Sequence, residues 1–202
     1  MSNPFREALE NGDFVVTVEM IPGRGAFEAN QEEEYETMKE MYATGRVHAI
    51  SITDNPSGNP AISSPAVGRR FKNEGIPALV HYTCKDRSRN MMQGELYDMQ
   101  YDDIENLLVM TGDFQGSGFE GAGRPDFDLD PVNTLRLINA MNEGLVVHGR
   151  KGDTREKPAN FYPGAVVNPF KYREGEVWPQ YYKLEKKLIC GAKFIIQQLG
   201  FD

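Results

Sequence analysis

The sequence predicts an α/β fold. Short apolar, β-rich segments alternate with longer amphipathic stretches, and polar, glycine-rich turns follow strand after strand. The first strand is expected over Phe14–Met20, ended by Pro22, Gly23 and Gly25, and the first helix over Glu32–Thr44. The second strand, Ala49–Thr53, runs into Asp54, Asn55, Pro56 and Gly58. The helix Ser64–Glu74 carries its own boundary signals, a serine followed by proline at its start and Gly75 after its end. Strand Ala78–Thr83 and helix Asn90–Tyr97 come next, then strand Asn106–Thr111, which meets Gly112 and Asp113. Helix Val132–Asn142, strand Ala165–Asn168, helix Tyr181–Ile189, stopped at Gly191, and strand Phe194–Gln198 complete the pattern.

In α/β folds, ligands bind at the carboxyl ends of the strands, where these glycine-rich turns fall. Two longer connections, Phe114–Pro131 and about Gly149–Pro163, are read as parts of an active-site rim, since long loops inside compact domains usually have a role. The motif Gly116–Gly121 satisfies G-x-G-x-x-G but leads into AGRPDFDLDP. The dinucleotide fingerprint needs an apolar-periodic helix there, so this reading is rejected.

Composition narrows the function. A chain of 202 residues, 40% of them hydrophobic, buries a core of one domain. The net charge of -8 argues against a duplex nucleic-acid binder yet permits a small anionic ligand in a local basic pocket. Cys84 and Cys190 support neither a disulfide framework nor a metal knuckle, which fits a reducing cytoplasm. No apolar run reaches the roughly 18 residues that a membrane-spanning helix needs.

Polar residues gather near the strand ends: Glu19, Thr53, His81, Thr83, Asp113 and Gln198. Parallel strands would converge them on one pocket, although any one alone is more often a local hydrogen-bonding residue than a catalytic one. Glu19 lies within the apolar run FVVTVEMIPG, so desolvation and general-acid chemistry are expected of it; its structural alternative is to anchor the Pro-Gly turn. Asp113 suits ligand orientation. His81, Cys84 and Asp86 lack the partners for a metal site, and none is assigned. Lys85, Arg87 and Arg89 suit a phosphate or another small anion, or else form a solvated loop. Lys186-Lys187 either reaches a cofactor or complements its helix dipole.

The ordered series VTVEMIPGRG, SITDNPSGNP, LVHYTCKDRSRN, NLLVMTGD, GAVVNPF and KKLICGAKFIIQQLGFD resembles the methylenetetrahydrofolate reductase family over nearly the whole chain. The resemblance implies a (β/α)8 barrel of the TIM-barrel type, of which these residues supply about six βα units. Residues 1–202 are then one barrel domain cut short at its C-terminus. It also implies FAD as cofactor, NADH or NADPH as electron donor, and reduction of 5,10-methylenetetrahydrofolate to 5-methyltetrahydrofolate.

By the same resemblance, Glu19 is the acid that opens the methylene bridge, Asp113 the carboxylate beside pterin and flavin, and Gln198 the folate-contacting glutamine. Thr53, His81, Asp113, Ala165 and Lys187 are the implied cofactor-binding positions. Thr111 departs from an arginine that helps hold FAD in some members, GAVVNPF from a tyrosine-proline-glutamate form, and Leu199-Gly200 from aromatic residues. A second copy of the chain or an electron-transfer protein is the expected type of protein partner. The alternatives are a catalytically incomplete flavin-binding or assembly module and a different flavin oxidoreductase.

Overall fold

The computed structural model describes residues 3–150 and 152–200, with Ser117 by its backbone alone. Helix α1 (Pro4–Asn11) comes first, followed by β1 (Thr17–Met20), α2 (Ala29–Ala43), β2 (Ala49–Ile52), α3 (Ser64–Asn73), β3 (Ala78–Thr83), α4 (Arg89–Tyr101) and β4 (Asn106–Met110). A small hairpin, β5 (Ser117–Gly118) and β6 (Gly121–Ala122), leads to α5 (Pro131–Asn142). A second hairpin, β7 (Val146–Gly149) and β8 (Gly152–Arg155), precedes β9 (Tyr162–Val167), α6 (Glu174–Ile189) and β10 (Phe194–Gln197). The six principal strands form one sheet in the order β1-β2-β3-β4-β9-β10, with every pairing parallel.

This is an open, curled part of a (β/α) barrel. Alternation along the strands sends two sets of side chains to two cores. Met20, Ile50, Ile52, Val80, Tyr82, Leu107, Val109 and Ala165 pack against the helices. Ala49, Leu79, Leu108 and Tyr162 pack together on the concave side, with Val166, Phe194 and Ile196 against them. Gly164 belongs to this inner row because the ring of Phe194 occupies the space that a β-carbon would take.

Helix α1, absent from the sequence expectation, plugs the lumen. Its signals are nonetheless present: Asn3 accepts from the Arg6 amide, Pro4 occupies the first turn, and Gly12 ends the helix at φ +77°. Phe5 is buried in the inner core and meets Phe194 edge-to-face, ring centroids 5.3 Å apart.

Several boundaries differ from expectation. Phe14 is exposed and precedes β1, while β9 begins earlier than expected, at Tyr162. Helix α6 starts at Glu174 and carries Pro179 within it. The connection containing Gly149–Pro163 is not on the active-site rim. It joins α5 to β9 and so lies at the amino ends of the strands, anchored by Ala159 N to Met141 O and Tyr162 N to Glu105 O. The connection after β4 does reach the carboxyl rim, where Asp86 N donates to Asp126 O.

Candidate functional site at the carboxyl ends of the strands

The inner row of β1, β2 and β3 brings Glu19, Ser51, Thr53, His81 and Thr83 to one end of the sheet. Glu19 is in register with Ser51, and Ser51 with Leu79. Glu19 is exposed on the concave side, while Val18 and Met20, its apolar neighbours in sequence, belong to the helix-facing core. The desolvation expected from that run is therefore delivered to the opposite face of the sheet.

His81 is buried, and its Nε2 lies 2.7 Å from Ser51 Oγ. Burial pushes its pKa down to about 4, against a smaller opposing pull from Asp54, so the imidazole is neutral near pH 7. Thr53, on the neighbouring strand end, is also buried, and its Oγ1 has no hydrogen-bond partner among the described residues. Buried hydroxyls are rarely left unpaired.

Beneath this row lies an ion-pair network that the sequence reading missed. Asp54 accepts from Thr83 N at 3.0 Å, Thr83 Oγ1 at 2.7 Å and Arg87 Nη1 at 2.8 Å. Arg87 also pairs with Glu95, Nε to Oε2 at 2.7 Å. Arg89 is engaged by Asp128, whose carboxyl the guanidinium pulls down to about 2. Arg87 is thus buried in a carboxylate network, while Arg89, largely exposed, already carries one carboxylate partner. The third cation, Lys85, is fully buried.

Two cavities open beside these residues. One, of about 340 Å³, is lined by Asn55, Lys85, Asp86, Gln115 and the glycines of the loops after β2 and β4. The other, of about 420 Å³, lies between the loops after β1 and β2 and includes Arg24 and Ser57; Asn59 and Ala61 line both. Asp113 braces their shared loop by accepting from Ser57 N at 3.1 Å. Gly116 N donates to Gly58 O at 2.7 Å, and a β-carbon on Gly58 would strike Phe114 O. A further cavity, about 240 Å³, lies at the amino end beside Asn3, Lys72 and Asn106, away from these groups.

The remaining sequence-derived positions divide by location. Gln198 continues the inner row of β10, its amide donating to Val167 O at 2.8 Å, with an exposed side chain. The Ala165 side chain faces the helices, so only its backbone can line a ligand. Lys187, on α6, donates to Val166 O at 2.6 Å, and burial together with Lys183 lowers its pKa. Cys84 also faces the helices, its Sγ 3.2 Å from Thr134 Oγ1, on the other side of the sheet from His81. Among the described residues, no helix is long and apolar enough to cross a membrane.

The fold resembles a solved structure described as an uncharacterized protein from Clostridium thermocellum that binds two copies of 5-methyl-5,6,7,8-tetrahydrofolic acid. The TM-score is 0.66 at 11% identity, over 98% of this chain and 59% of that one. At that identity the likeness is one of fold, and this chain spans 59% of the other's length. The family model described as methylenetetrahydrofolate reductase matches residues 4–202. With a match over nearly its whole length, the chain belongs to the methylenetetrahydrofolate reductase family.

Proposed function

We propose that this chain binds FAD at the carboxyl ends of its strands and takes part in reduction of 5,10-methylenetetrahydrofolate to 5-methyltetrahydrofolate. NADH, NADPH or a partner protein supplies the electrons. The observation that carries the reading is the buried Thr53 Oγ1, without a partner among the described residues, beside the neutral imidazole of His81 at the carboxyl ends of the strands in a chain of this family. Thr53 offers a hydroxyl that a cofactor's polar edge would satisfy, and Ser51 fixes the orientation of His81. A planar, polar-edged cofactor fits these residues. The fold likeness to a protein that binds 5-methyltetrahydrofolic acid supports a folate as the second ligand.

In this reading Thr53, His81, Asp113 and the backbone around Ala165 hold the cofactor, and Lys187 supports that backbone from behind through Val166 O. When bound, FAD would supply the redox chemistry between the electron donor and the folate. Glu19, exposed on the inner row, gives a proton to the folate nitrogen that leaves when the methylene bridge opens. Asp113 orients the pterin while bracing the loop at Ser57, and Gln198 donates to the folate from the opposite edge strand.

The visible absorption spectrum of the purified chain, before and after addition of FAD, tests the cofactor half. A protein-bound flavin spectrum is expected, whereas a folded chain that remains colourless in excess FAD overturns the reading. In rapid mixing, E19Q should keep nicotinamide-driven flavin reduction and slow methylenetetrahydrofolate-driven reoxidation by about 100-fold or more. A bound flavin that no folate reoxidises would instead favour a binding or assembly module.

A further inference from the structure

Lys85 is the most deeply buried cation near the site, with a side chain 1% exposed. Its stem lies across the end of β4. A β-carbon on Gly112 would come within 2.9 Å of Lys85 Cγ and Cδ, and Gly112 adopts φ +86°. The Lys85 amide donates to Thr111 O at 3.1 Å, so the lysine and Thr111 sit side by side on adjacent strand ends. The glycine is thus doubly required, for its backbone conformation and for the passage of the lysine stem.

Lys85 is one of the residues that line the 340 Å³ cavity. Its partner among the described residues is Asp86, Nζ to Oδ2 at 3.2 Å, and the other oxygen of Asp86 accepts from Gln115 Nε2. An ammonium has three donors, and the one carboxylate contact among the described residues leaves donor capacity for a ligand. An ion pair formed only for stability gains nothing from complete burial of its lysine, because desolvation offsets the attraction. Gln115 lines the same cavity, and its Oε1, buried and without a partner among the described residues, can accept from a hydroxyl or amide of a ligand.

We propose that Lys85 is the cation of a phosphate subsite in this cavity, binding a phosphate of a nucleotide cofactor while Gln115 Oε1 accepts from an adjoining sugar hydroxyl. The position of Thr111 gives the assignment its specificity. Thr111 brings no charge to the end of β4, and Lys85 delivers a positive charge to the same strand ends from the neighbouring strand. Asp86 holds the ammonium in place and takes one donor, leaving the others to the phosphate.

The inference rests on the nucleotide-binding reading above, and two phosphate sources share its chemistry: the flavin and the nicotinamide nucleotide. FAD, riboflavin and NADPH are titrated into wild type, K85M, K85R and K85M/T111R, with circular dichroism confirming the fold. K85M/D86N, which leaves no unpaired carboxylate, replaces K85M if that variant does not fold. Loss of Lys85 is expected to weaken FAD binding about tenfold or more while leaving riboflavin unchanged. K85R should retain most of the affinity, and T111R should restore it in the K85M background. Weakening confined to NADPH supports the subsite and assigns it to the nicotinamide nucleotide. A folded Lys85 variant that binds FAD and NADPH as tightly as wild type overturns the subsite, as does equal loss of FAD and riboflavin. Wild type that binds no FAD sinks the flavin reading instead, and NADPH then decides Lys85 alone, with no binding of either overturning both.

Discussion

His81 is held neutral by burial, with Ser51 as its hydrogen-bond partner, and its pKa falls from 6.5 to about 4. Between those values the unfolded chain takes up a proton that the native imidazole refuses, so the folded state is at full strength above about pH 6.5 and weakens as pH falls towards 4. The loss at this one group is on the order of 3 kcal/mol. Urea unfolding at several pH values should show a decline on acidification that is shallower in H81N by up to that amount; identical slopes would mean that the native imidazole titrates normally. At this scale the sequence disclosed residue types and not partners. Arg87 and Arg89 read as anion binders, yet their carboxylates, Asp54 and Asp128, lie 33 and 39 positions away. The burial expected of Glu19 is absent for a related reason, because alternation sends its apolar neighbours to the face it does not share.

At the level of elements, α1 and β10 depend on one another. Phe5 and Phe194 meet in the lumen, Tyr162 stacks on Phe194 with ring centroids 5.7 Å apart, and Gly164 leaves room for the Phe194 ring. F5A should therefore cost about 3–5 kcal/mol in urea unfolding, the usual range for deleting a buried phenylalanine ring. A loss below about 1 kcal/mol would mean that α1 is dispensable to the inner core. The strands and most helices were legible from periodicity, since apolar alternation and proline or glycine boundaries are local signals. Helix α1 carried an asparagine cap, a proline and a terminal glycine, and was overlooked because its apolar positions are few and spread along a short polar segment. The Gly149–Pro163 connection reads as rim from its length, but it follows helix α5 rather than a strand and so lies at the amino ends of the strands.

For the whole molecule, protection should follow position in the sheet. The central strands β3 and β4 are paired on both sides and covered by helices, whereas β10 is paired with β9 and is backed by α6, a helix with no buried residue among those described. Hydrogen exchange followed by mass spectrometry should find Leu79–Tyr82 and Leu107–Val109 the slowest and Phe194–Gln197 much faster. Equal protection across the sheet would mean that the edge at β10 is covered in solution, by another copy or another protein. The same openness leaves Glu19 and Gln198 exposed on the two edge strands.

The sequence by itself determined the α/β class, the parallel strand series, the family and the end of the strands at which polar groups collect, because each is carried by local periodicity, turn residues or ordered motifs. Only the tertiary structure decided which cations already have carboxylate partners, which face each strand residue occupies, and which polar groups are buried, Thr53 Oγ1 and the Lys85 side chain among them. Those properties depend on distances between residues far apart in the chain and on exclusion of water by packing. Neither is written in any single segment.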